Sequence, residues 1–226
     1  FTNGSKTTPS DAYAWAQGRP ITGSGGPELQ IQTPLDFYMV ADHAEMMGVF
    51  NQMANRDSPL SKTELAKGVL SPDTNTRIQT FAGVLRDMST GKLDPMLTDT
   101  KLAHNVWLDI VKAADANYVP GKFTTFAGFE WTSNPQTRNL HRVVVFRDTA
   151  HLPDLALSAL DSDDPETLWK WMDEQRAKGS TLFAIPHNGN ASDGLMFDLV
   201  KRDGKPIDAA YNKTRADNEP LYEITQ

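Results

Sequence analysis

Three residues in this chain pair a metal-ligating side chain with a place where a buried strand must stop, and a fourth stands where one begins. His187 follows the apolar run Thr181–Pro186 (TLFAIP) and opens His187-Asn188-Gly189-Asn190, which cannot continue a buried strand. His43 lies in Asp42-His43-Ala44-Glu45, directly after Leu35–Ala41 (LDFYMVA). Glu130 closes Phe123–Phe129 (FTTFAGF). Three apolar strands that each deliver such a residue at the C-terminal end predict a site at the mouth of an α/β barrel or sheet.

The fourth residue follows from loop length. Glu130 and His141 are separated by ten residues, Trp131–Leu140, mostly polar and turn-forming. A parallel crossover needs a dozen or more residues. The strands on either side are therefore expected to be antiparallel neighbours, with Glu130 and His141 on one sheet edge together with His43 and His187. Imidazole and carboxylate donors suit Zn²⁺, Mn²⁺ or Fe²⁺. A metal of this kind lowers the pKa of bound water, which makes hydrolysis the natural reaction class.

Each residue also has an ordinary structural reading. Asp42 serves equally as the partner that orients an imidazole in a catalytic site or as a helix cap. Glu45 is either a substrate-binding residue or a first-turn carboxylate favoured by the helix dipole. Arg138, Arg142 and Arg147 flank His141, and Arg142 is a candidate to bind an anionic substrate by paired hydrogen bonds. Asn188 and Asn190 either donate to substrate or shape a turn. His104, beside Trp107 on a helix, and His151, in a Pro-containing loop, read as structural. The glycosylation pattern at Asn3, Asn190 and Asn212 is a frequency that chance explains.

Composition narrows the classes. The chain has 226 residues, 39% hydrophobic and 23% charged, enough for one α/β domain with a sizeable core. A net charge of −7 argues against nucleic acid, though a small anionic substrate is compatible with locally opposite charge. Without cysteine there is no disulfide, thiolate metal site or Cys nucleophile. No apolar run is long enough to span a membrane.

The elements that must position these residues alternate. A short helix is expected over 10–17 with Ser10 as its cap, then the strand at 35–41 and a helix from Ala44 to about Ala54. Residues 60–118 read as mostly helical. One helix there starts at Ser71-Pro72, carries Ile78, Phe81, Ala82 and Leu85 on its apolar face and stops at Gly91. A second runs from Asp99 to Ala114, with Trp107, Ile110 and Val111 inward. Asp164-Pro165 starts a helix with Leu168, Trp171, Met172 and Gln175 along one side, closed by Gly179. Residues 190–219 read as loop and 221–226 as strand. The alternation predicts an α/β fold with a largely parallel sheet.

Five stretches carry a family resemblance: Leu35–Gly48 (LDFYMVADHAEMMG), Phe129–Ser133 (FEWTS), Asn139–Asp148 (NLHRVVVFRD), Asp164–Gln175 (DPETLWKWMDEQ) and Ala184–Phe197 (AIPHNGNASDGLMF). They resemble the PHP (polymerase and histidinol phosphatase) superfamily, in the branch called domain-of-unknown-function family 3604. The resemblance implies an incomplete, distorted (β/α)7 barrel with a helical insertion at about 60–118. It implies two or three divalent transition metals (Zn, Mn or Fe) in the full-length protein. His43, Glu130, His141 and His187 carry over as ligands, with Asp42 and His187 in the catalytic role. The family's first His-x-His pair and last Asp-x-His pair have no counterpart here. The chain also opens on Phe1 and closes in a strand-like run. The expectation is the central part of a single domain cut at both ends, inactive in isolation, with a lean toward a periplasmic or secreted location.

The implied activity is metal-dependent hydrolysis of phosphoesters. The alternatives are hydrolysis of another ester, an amide or a sulfate on the same scaffold, or a non-catalytic metal-binding domain.

Overall fold

In the computed structural model, residues 7–23 and 26–225 are described; Asn3 and Gln226 lie outside them. The chain forms two compact units. One runs up to Val40 and resumes over Met46–Thr125, and the other joins Ala41–Glu45 to the chain from Phe126 on.

The first unit is largely helical. Helix α1 (Pro9–Ala16) is capped by Thr8 in a reciprocal box with Asp11, rather than by Ser10, because Pro9 occupies the first helical turn. Its Tyr13 and Ala16 pack with Ala114 and Phe123. Two short antiparallel strands follow, β1 (Ile21–Thr22) and β2 (Glu28–Leu29), then β3 (Phe37–Met39). Helix α2 spans only Val49–Ala54. The expected start at Ala44 fails because Met46 and Gly48 adopt φ of 54° and 78°, which a right-handed helix cannot include.

Helices α3 (Glu64–Val69), α4 (Thr74–Ser89) and α5 (Thr100–Asn117) fill the stretch read as a helical insertion. Asp73 caps α4, displacing the expected Ser71-Pro72 start. The apolar face is also shifted: Val84 is buried, whereas Ile78 and Leu85 are exposed. In α5, Asp99 caps the helix, and Trp107 and Ile110 are buried as expected, with Ala114.

The second unit is built on a sheet. Strand β4 (Asp42–His43) pairs in parallel with β5 (Thr124–Trp131). Strand β5 pairs antiparallel with β6 (Arg142–Phe146), as the loop length required. Strand β6 pairs antiparallel with β7 (Leu182–Pro186). The largely parallel sheet is thus corrected. Phe146 and Leu182 are register partners, so residues 147–181 leave and return at one sheet end instead of crossing over. The fold is mixed α/β as expected, and the described strands form a two-stranded and a five-stranded sheet, neither of them a closed barrel.

Period-two alternation fixes the two faces of this sheet. Ala127, Phe129 and Trp131, with their partners Phe146, Val144 and Arg142, lie on one face. Helix α6 (Pro165–Ala177), capped by Asp164, packs there, and its Trp171 meets Phe129 edge-on. Trp169 is the fully buried tryptophan of α6, and Trp171 is half-buried.

A helix, α7 (Ala209–Asn218), occupies part of the stretch read as loop, and residues 221–225 form no strand. The side chain of Glu219, just past α7, is 2% exposed and anchors the helix. It accepts hydrogen bonds from Arg142 Nε (3.0 Å), Trp169 Nε1 (2.7 Å) and Arg215 Nε (3.1 Å). No helix among the described residues is long and apolar enough to cross a membrane.

Removing one partner of a buried ion pair leaves an uncompensated charge. Glu219→Ala is therefore expected to cost about 3–5 kcal/mol in urea unfolding. A loss below about 1 kcal/mol, the range of exposed pairs, would rule out Glu219 as the anchor of α7.

Candidate metal centre

The site lies on the sheet face opposite α6, and strand alternation puts it there. Glu130 is paired with Val143. His141 is two residues before Val143, and His187 is two residues after Ile185, the partner of Val143 on β7. All three therefore share a face and an edge. The ladder continues past the strands, since His187 N donates to His141 O at 3.3 Å.

Three imidazoles surround one carboxylate oxygen. Glu130 Oε1 lies 3.0 Å from His141 Nδ1, 3.2 Å from His187 Nε2 and 3.5 Å from His43 Nδ1. Glu130, His141 and His187 each offer a ligand atom within 4.8 Å of the others; Glu130 and His187 are half-buried, and His141 is buried. A tetrahedral ion with bonds of about 2.1 Å spaces its ligand atoms roughly 3.4 Å apart. The donor chemistry and spacing fit a divalent metal such as zinc or iron.

His43 pairs in register with Glu130 and so faces the same way. It stands at the rim, outside the three-donor group, with its side chain 62% exposed and Nδ1 2.5 Å from Thr132 Oγ1.

Glu130 is held ionised. Burial alone would push its carboxyl up, but hydrogen bonds from His141 and His187 and the charge of His43 outweigh it. The carboxyl sits well below the usual range.

The remaining expected residues take other positions. Asp42 is the register partner of Phe129, so alternation turns it to the opposite face from His43. Its carboxyl is pushed up by burial, against the pull of His43. Glu45, expected to bind substrate, is 5% exposed and works internally. It accepts from Thr132 N (3.2 Å), Ala159 N (2.6 Å) and Ser158 Oγ (3.3 Å).

Arg142, expected to bind an anion, is 2% exposed and committed to Glu219 on the α6 face. Arg147 lies past the other end of β6. Of the three flanking arginines, only Arg138 stays in the loop beside His141; its Nε is buried without a hydrogen-bond partner.

Asn188 takes a left-handed conformation (φ 56°), and its N–H donates to Glu223 Oε2 at 2.9 Å. Asn190 is exposed in the turn that follows. His104 and His151 lie outside the donor group.

Two site residues escaped the sequence reading, Thr132 and Asn134. Thr132 contacts His43, and Asn134 Oδ1 lies 3.0 Å from His141 Nε2. The alternation Glu130-x-Thr132-x-Asn134 was the available signal. Trp131 and Ser133, between them, are fully buried.

Gly189 permits a close approach behind His187. A Cβ on it would lie 1.9 Å from Tyr222 Oη and 3.1 Å from Cζ. Gly189→Ala is expected to destabilise the protein by about 1–3 kcal/mol, the range for overpacking. Tyr222→Phe in the same background should recover part of that loss in urea unfolding. An identical loss in both backgrounds would show that this contact does not limit the turn.

The family model described as "Protein of unknown function (DUF3604)" matches residues 1–226. No curated protein and no solved structure matches the chain.

Proposed function

The chain belongs to the DUF3604 family, and from that premise we propose that it is a metal-dependent hydrolase acting on phosphate esters. The observation that carries the reading is the convergence of Glu130, His141 and His187 within 4.8 Å on one sheet face. A divalent metal held by these three would supply a Lewis acid and an activated water.

The chain's own residues divide the remaining work. The lowered carboxyl of Glu130 keeps a negative donor at the centre near neutral pH. His43 is tied at Nδ1 and 62% exposed, so its second nitrogen is placed to give a proton to a departing oxygen. Arg138, with its buried Nε, is the nearby cation suited to a substrate's negative charge.

The test combines metal content with turnover of generic phosphomonoesters and phosphodiesters. Wild type is expected to carry transition metal and to lose hydrolysis on chelation. His187→Ala should lose metal, whereas His43→Ala should keep it and lose about 10²–10⁴-fold in rate. His104→Gln should change neither. A folded wild type without metal would end the metal-centre reading. A metal-loaded protein that cleaves carboxylate or sulfate esters but no phosphoester would move the reading to those substrates.

A further inference from the structure

The contacts of Asn134 bear on how His141 binds. We infer that Asn134 is a positioning residue that decides which ring nitrogen His141 presents to the metal, an inference that rests on the metal centre proposed above.

The two nitrogens of His141 face different partners. Nδ1 lies 3.0 Å from Glu130 Oε1, inside the donor group, and Nε2 lies 3.0 Å from Asn134 Oδ1, outside it. A metal-bound imidazole uses one nitrogen as a lone pair and carries its proton on the other. An amide oxygen can only accept, so it selects the form of His141 protonated at Nε2. That leaves Nδ1, whose proton toward Glu130 a metal ion would replace, as the nitrogen for the metal.

The amide has a defined orientation. Asn134 Nδ2 lies 3.5 Å from Thr132 O, which agrees with its oxygen end facing His141. Thr132 is itself fixed, because its N–H donates to buried Glu45.

His141 is 9% exposed, so water has little access to replace the amide. His187 reaches Glu130 through Nε2 instead. The two histidines thus present different nitrogens, and Asn134 accounts for the choice at His141.

The experiment uses zinc as the probe. Zinc affinity is measured by competition titration for wild type, Asn134→Ala and Asn134→Asp. Long-range ¹H–¹⁵N spectra of the zinc-loaded wild type identify the protonated nitrogen of His141. The expectation is a proton on Nε2, a 10–100-fold weaker affinity in Asn134→Ala, and recovery in Asn134→Asp, whose carboxylate accepts the same hydrogen bond.

A zinc-loaded His141 protonated at Nδ1 would overturn the inference. So would an unchanged affinity in Asn134→Ala, or an Asp variant as weak as the Ala variant. A wild type that takes up no zinc overturns the metal centre, and the role of Asn134 with it. Zinc uptake with any of the first three results overturns the role of Asn134 alone. Should the Ala variant fail to fold, the wild-type spectrum and the Asp titration still decide.

Discussion

The site depends on one constraint: an ionised carboxylate, largely removed from water, must be surrounded by groups that favour its charge. Glu130 meets it with three imidazole nitrogens at 3.0–3.5 Å around a single oxygen. Those nitrogens come from three separate stretches of chain, the ends of β4 and β7 and the start of β6. The pairing register of the sheet is therefore part of the electrostatics. A slip of one residue in β6 would turn His141 to the α6 face and leave Glu130 with one fewer partner.

Much of this was legible in the residues, and the reason is strand arithmetic. The ten residues from Trp131 to Leu140 are too few for a crossover, and that alone implied the antiparallel β5–β6 pair that brings Glu130 and His141 together. His187 was marked by the abrupt end of TLFAIP. The same arithmetic, carried one step further, separates Asp42 from His43 and adds Thr132 and Asn134.

Other features lay beyond local pattern. Helix α7 is rich in polar residues, and its docking rests on Glu219 meeting Arg142 and Trp169, 77 and 50 residues away. Arg142 looked like a surface cation beside His141 because nothing local marks the carboxylate that covers it. The expectation of a largely parallel sheet assumed that a helix between strands implies a crossover. The excursion from Phe146 to Leu182 contains α6 and yet returns to the same sheet end. The closing of that path is a tertiary property.

Glu45 shows how far a buried charge can act as a mechanical link. One carboxylate holds the backbone of Ala159 and the hydroxyl of Ser158 on one side and the peptide of Thr132 on the other. Thr132 in turn holds His43. Displacing the loop at 158–159 removes two of the three donors that steady Glu45, and the slack passes to the strand end that carries the hydroxyl. The long β6–β7 connection is thus tied to the rim of the site through a single side chain.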